Sequence, residues 1–249
     1  MKWPHVSWAI LLGVGFLSMP MPAHADEIVY SNTSTYTGVF LDAILFGTEV
    51  GDELHLTHGG ILDSVRFSVW NDNSDMWLTK ADLTLKFYDL TSPYKYDAPP
   101  LGTLFFDNYD FRSHFTQPGT QEYALGVRPF TSLLLSFSDL GVHNINLTNT
   151  IAVTLTVDDL YSEVRWFAPG PGPFLGDVGQ LVYDPPTVGS SEDYFVMDPG
   201  GSFYKYWFGG DPVANLYWEV GVTAIPEPAS LLLLGTGLAG LVRWRRRRA

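Results

Sequence analysis

Thr150-Ile151-Ala152-Val153-Thr154-Leu155-Thr156-Val157 places Ile151, Val153, Leu155 and Val157 on one side of an extended chain and Ala152, Thr154 and Thr156 on the other. Successive side chains of a strand point to opposite faces, so an apolar period of two marks a strand with one buried face. A helical turn of 3.6 residues would scatter the same four aliphatic residues around its axis. Strands that alternate this cleanly belong to antiparallel sheets, which keep one face against a core and leave the other to water.

The same period recurs on either side. Val65, Phe67 and Val69 alternate with Ser64, Arg66 and Ser68, and Leu83, Leu85 and Phe87 alternate with Thr84, Lys86 and Tyr88. Leu216, Trp218, Val220 and Val222 alternate with Tyr217, Glu219 and Gly221. Shorter strands are expected near 28–30, 53–57, 102–107, 121–127, 133–137, 164–167, 180–183 and 203–207. Turn residues separate them, among them Asn71-Asp72-Asn73, Pro99-Pro100, Gln117-Pro118-Gly119, Asp184-Pro185-Pro186 and Pro199-Gly200-Gly201. Many short strands at this spacing, with no helical stripe between them, predict an all-β antiparallel β-sandwich of jelly-roll type. The proline-rich segment from Ala168 to Gly176 reads as a long loop within one sandwich, because the strand that would complete the core, Leu216 to Thr223, follows it.

Both ends of the 249-residue chain read as addresses rather than as parts of this fold. Lys2 precedes an apolar run from Trp8 to Leu17, then Pro20, Pro22 and Ala23-His24-Ala25. That order is a secretion signal helix over residues 1–25, cleaved after Ala25. The run is too short to cross a bilayer, which takes about 20 apolar residues. At the other end Ile225-Pro226-Glu227-Pro228 leads into an apolar segment from Ala229 to Val242, followed by Arg243, Trp244, Arg245, Arg246, Arg247 and Arg248. The arginines resist transfer across a membrane and fix it as cytoplasmic-side, which leaves the body outside. The apolar segment would cover about 21 Å as a helix at 1.5 Å per residue, against a hydrocarbon core of about 30 Å. It is a short transmembrane helix, suited to temporary retention in the inner membrane.

A Pro226-Glu227-Pro228 signature, an apolar helix and a terminal arginine cluster, in that order and at that place, resemble the PEP-CTERM sorting domain. The resemblance covers residues 225–249 and implies an exosortase-type membrane protease as partner, in a Gram-negative bacterium that makes exopolysaccharide. It implies Pro226, Glu227 and Pro228 as the sorting motif and Arg243, Arg245, Arg246, Arg247 and Arg248 as the membrane-stop cluster. The body between the addresses, 26–224, would then reach the cell surface or extracellular biofilm matrix.

Charge agrees with that destination. Setting aside Lys2, Glu227 and the five terminal arginines leaves 8 basic residues against 26 acidic ones, a net charge near −18. Such a body repels nucleic acid and anionic lipid. The absence of cysteine excludes disulfides, thiol catalysis and thiolate metal sites, so the exported body must be held by its own core.

Four histidines follow the signal region: His55, His58, His114 and His143. His55 and His58 are three apart, which on a strand sends them to opposite faces. There is no Gly-x-Ser-x-Gly elbow, no His-Glu-x-x-His helix and no phosphate-cradling glycine loop, and no catalytic residue is assigned. Two patterns suit binding. Asp72, Asn73 and Asp75, with Ser74 in the same turn and Asp158-Asp159 further on, offer the hard oxygens that calcium takes. Tyr204, Tyr206, Trp207 and Trp218 stand in an aromatic-rich last third and would suit stacking on sugar rings. The expected role is that of an exported, non-catalytic surface or matrix protein associated with exopolysaccharide. A calcium-stabilised carbohydrate-binding module is the alternative, and a secreted hydrolase is a third reading.

Overall fold

The computed structural model describes residues 27–41, 48–71, 76–91, 97–164, 178–183, 185–198, 204–206 and 215–223. In chain order its strands are β1 (Glu27–Ser31), β2 (Tyr36–Leu41), β3 (Glu49–His55), β4 (Gly60–Asn71), β5 (Met76–Asp89), β6 (Gly102–Asp110) and β7 (Thr131–Phe137). They continue with β8 (Asn146–Leu147), β9 (Thr150–Val164), β10 (Val178–Tyr183), β11 (Ser190–Asp198), β12 (Tyr204–Tyr206), β13 (Asn215–Leu216) and β14 (Trp218–Thr223). The described helical pieces are α1 (Gln121–Leu125) and two 3-10 turns, Phe111–His114 and Leu140–His143. The signal region 1–25, the segment 168–176 and the tail 225–249 lie outside the described residues.

The strands form two antiparallel sheets. One runs β1-β14-β4-β10-β13, with β2 beside β10 and with β7 and β8 beside β4. The other runs β12-β11-β3-β9-β5-β6. The stretch that opened the sequence reading lies in β9, which pairs β3 from Val50↔Leu155 to His55↔Thr150 and β5 from Met76↔Val164 to Asp89↔Ile151. Its Ile151, Val153, Leu155 and Val157 join Leu83, Leu85 and Phe87 of β5 in one cluster with Val65, Phe67 and Val69 of β4 and Trp218, Val220 and Val222 of β14. The two sheets therefore face each other across a single core, and the sandwich expected from the alternation is present. Burying each of these large side chains stabilises the fold by about 1.5–3 kcal/mol, which is how an unstapled body holds together.

Aromatic rings close one open side between the sheets. Phe106 of β6, an edge strand, stacks on Phe137 of β7 with ring centroids 4.2 Å apart. The contact continues inward from Phe137 to Phe67 at 5.7 Å and from Phe67 to Trp218 at 5.6 Å.

The strand expected over 121–127 is instead α1. Thr120 Oγ1 accepts the Tyr123 amide at 3.2 Å, an N-cap that Glu122 in the first turn reinforces. Gly126, at φ 94°, ends the helix where a Cβ would come within 2.1 Å of the Leu78 carbonyl oxygen. Only Val127 behaves as strand, exchanging backbone hydrogen bonds with Leu78 at 3.0 and 2.9 Å. Local capping chemistry outweighed the weak alternation.

Gly51 has the closest neighbour of any glycine among the described residues. It lies in β3 between β9 and β11, and a Cβ there would sit 1.9 Å from the Val153 carbonyl oxygen and 2.6 Å from the Thr154 Cα. Backbone atoms cannot step aside as a side chain can. Gly51→Ala is expected to lower stability by about 2 kcal/mol or more, read by denaturant unfolding; unchanged stability would show that β3 does not lie against β9 in this register.

Candidate functional site

The place where the body gives way to its tail is built by β14. This strand is hydrogen-bonded on both sides, to β1 from Glu27↔Val222 to Ser31↔Glu219 and to β4 from Trp218↔Phe67 to Thr223↔Ile61. Its alternation explains its position: Trp218, Val220 and Val222 are fully buried, and Glu219 faces outward. Glu219 spans the three strands, accepting from Ser31 Oγ at 3.1 Å and pairing with Arg66 Nη1 at 3.3 Å. Beside the end of β14, His58 Nε2 lies 3.1 Å from Glu27 Oε2, and its Nδ1 donates to the Gly59 carbonyl at 2.8 Å. The Gly59 carbonyl first, and then Glu27, raise the His58 pKa above its ordinary value by favouring the protonated ring. Thr223 is thus held in a sheet as the last residue of β14.

A second group of polar residues sits inside the sandwich. Asp52 lies in β3 in phase with Val50 and Leu54, so it points into the core and is fully buried. Its Oδ2 accepts the Leu216 amide at 3.1 Å, across from one sheet to the other. Asn32, also fully buried, donates from Nδ2 to the Leu216 carbonyl at 3.2 Å, and its amide donates to the Trp218 carbonyl at 2.8 Å. Leu216 needs these partners because the strand changes neighbours here: β13 pairs with β10, β14 pairs with β4 and β1, and Tyr217 lies between. Asp52 Oδ1 meets no hydrogen-bond partner among the described residues. Burial pushes the Asp52 carboxyl well above the usual carboxylate range, the Leu216 and Glu53 amides oppose the shift, and the Glu53 charge adds to it.

The residues singled out from sequence are not brought together. Trp218 is fully buried against Phe67, and its neighbour Tyr217 is buried as well, so Trp218 is removed from the sugar-stacking row: its ring was needed for the core. Tyr204 and Tyr206 are placed only as β12, on the edge of the six-stranded sheet. Trp207, the turn residues Asp72, Asn73 and Asp75, the motif Pro226, Glu227 and Pro228, and the cluster Arg243, Arg245, Arg246, Arg247 and Arg248 lie outside the described residues.

Three of the four histidines have separate partners. His55 Nδ1 meets Thr150 Oγ1 at 3.3 Å, His58 meets Glu27, His114 Nε2 meets Tyr109 Oη, and His143 ends a 3-10 turn. Burial lowers the His114 pKa and raises that of Tyr109. Glu49 is saturated by Lys86 Nζ at 2.6 Å, Tyr88 Oη at 2.8 Å and Thr154 Oγ1 at 2.5 Å. Among the described residues no three His, Asp or Glu side chains are grouped to hold a metal ion. Sequence reading missed Asp52, although its phase between Val50 and Leu54 was the available signal.

Residues 224–248 match the PEP-CTERM protein-sorting motif, beginning at the residue after β14. The chain therefore carries the signal by which exported proteins are sorted, placed at the C-terminal position of an exosortase substrate. The processing partner that this signal implies is an exosortase membrane protein, and the route it implies is export with transit through a membrane anchor. No curated protein and no solved structure matches the chain. Among the described residues no helix is long and apolar enough to cross a membrane.

Asp52 gives the interior a pH dependence. In the unfolded chain an aspartate titrates near 4; in the fold its pKa is raised, so folding favours the neutral form. The stability gained by keeping it neutral is complete below about pH 4 and is lost as pH rises from there toward the folded value, at about 1.4 kcal/mol per unit. Asp52→Asn keeps an oxygen for the Leu216 amide and cannot ionise. The variant is expected to melt above the parent at pH 8, with the difference closing toward pH 4. A difference that does not vary with pH would contradict a neutral Asp52.

Proposed function

We propose that the protein is an exported, non-catalytic surface or matrix protein whose tail is cut at Ile225 to Pro228 by an exosortase-type enzyme, releasing the sandwich into an exopolysaccharide-containing matrix. In this reading residues 1–25 are a secretion signal and 229–242 form a short membrane helix. Arg243 and Arg245 to Arg248 stay on the cytoplasmic side. The body is a jelly-roll variant of the sandwich, a type supported by the way the chain passes from one sheet to the other at eight of the thirteen connections between the described strands.

The observation that carries the reading is the match at 224–248 starting directly after Thr223. Pro226 and Pro228 lack the amide hydrogen that would extend β14, so the ladder has no means of continuing through the motif. An unpaired segment at the membrane surface is what a membrane protease can reach. The body is also compatible with life outside the cell: it is acidic, and a continuous core holds it without disulfides.

The test is the intact mass of the surface-located protein from a host that makes exopolysaccharide. The expected mass lacks Arg243 to Ala249. Recovery of Arg248-Ala249 on the surface-located protein would overturn the sorting reading and leave a plain membrane anchor.

A further inference from the structure

The two outlets of the sandwich lie at one end. Glu27, where β1 begins, is opposite Val222 near the end of β14, and Gly60, where β4 begins, lies so close to Thr223 that a Cβ would be 2.8 Å from its carbonyl oxygen. The turn from β3 to β4 joins the same end: the Thr57 amide donates to the Val29 carbonyl at 3.0 Å, and the Gly59 amide donates to Asn149 Oδ1 at 2.8 Å. The opposite end is formed by α1 and by Phe130, whose amide donates to the carbonyl of Asn71, the last residue of β4. Twelve residues of β4 at about 3.3 Å each put the two ends roughly 36 Å apart.

Between Thr223 and the apolar segment that starts at Ala229 there are five residues, 224–228. Fully extended they reach about 18 Å at most. That tether is half the length of the sandwich, so it cannot let the body turn over and present its far end to the bilayer.

We propose that, while the tail is anchored, the end of the sandwich carrying Glu27, Thr57, His58 and Asn149 lies against the lipid headgroups, with α1 and Phe130 directed away. The occupant of this surface is the bilayer itself, and the inference rests on the membrane-helix reading of 229–242. Geometry sets the orientation, because an acidic body gains nothing from the lipid charge. The consequence for processing is that the sorting enzyme must work in a gap no wider than the five-residue tether, beside the His58–Glu27 pair.

The chain has no cysteine, so one introduced thiol carries a unique fluorophore. Thr57 is exposed at the near end, and Tyr123, 46% exposed, stands at the far end on α1. The full chain with Thr57→Cys or Tyr123→Cys is reconstituted in phosphatidylethanolamine–phosphatidylglycerol vesicles containing lipid with a nitroxide on its headgroup. Fluorescence is expected to be lost at position 57 and retained at 123. Val142→Cys, 85% exposed in the 3-10 turn whose Gly141 lies against Asp63, three residues into β4, provides a second near-end probe and should follow position 57. Equal quenching at both ends, or quenching at 123 alone, overturns the orientation. Absence of quenching in protein that still floats with the vesicles overturns it while leaving the anchor intact. Protein that does not float overturns the anchor, and the orientation with it.

Discussion

The structure depends on where its last strand pairs. β14 enters between β1, the first strand, and β4, the longest strand of its sheet, and hydrogen-bonds to both. Its inward residues Trp218, Val220 and Val222 complete the core from one side, and its outward Glu219 ties Ser31 to Arg66 across three strands. A contact of such long sequence separation forms only after the rest of the chain has been made. Core closure and the start of the sorting tail are therefore one residue apart, at Thr223 and 224.

The interior tie at Leu216 follows from the same strand. Where the chain leaves β10 as β13 and joins β4 as β14, its backbone has to find partners that a regular ladder would have supplied. Asp52 from the facing sheet and Asn32 from the segment after β1 supply them. A buried carboxyl is an expensive way to satisfy one amide, and the raised pKa lowers that cost by favouring its neutral form. In return the two sheets are joined at a defined point, which apolar packing alone does not specify.

The parts of the fold that could be read from sequence were those with one dry face. β9, β5, β4 and β14 alternate because their inward residues meet the core, and each was found in the right phase, although β9, β5 and β4 run well beyond the stretches that alternate cleanly. β11 was not read, because Ser190-Ser191-Glu192-Asp193 begins it with residues typical of a turn. β2 was missed because Gly38 interrupts a short run, and β8 is only two residues long. The segment 121–127 was misread because Thr120 and Gly126 decide a five-residue helix through capping, a signal that periodicity does not carry. Trp218 looked like a sugar platform because aromatic residues are dense around it, although its phase with Val220 and Val222 already put it on the apolar face, where the core buries it. Asp52 was hidden by its own charge, since alternation is sought in apolar residues. The tail was legible without any tertiary information, because its order of prolines, apolar residues and arginines is read along the chain.

The central claim is that the body needs β14 to close, and two truncations test it most directly. Thermal unfolding followed by circular dichroism would compare chains ending at Ala224 and at Tyr217. The account predicts that the first unfolds cooperatively at the temperature of the full-length chain, and that the second, without Trp218 to Thr223, shows no cooperative transition. Equal melting of the two would contradict it, since the body would then fold without the strand on which both its core and its tail depend.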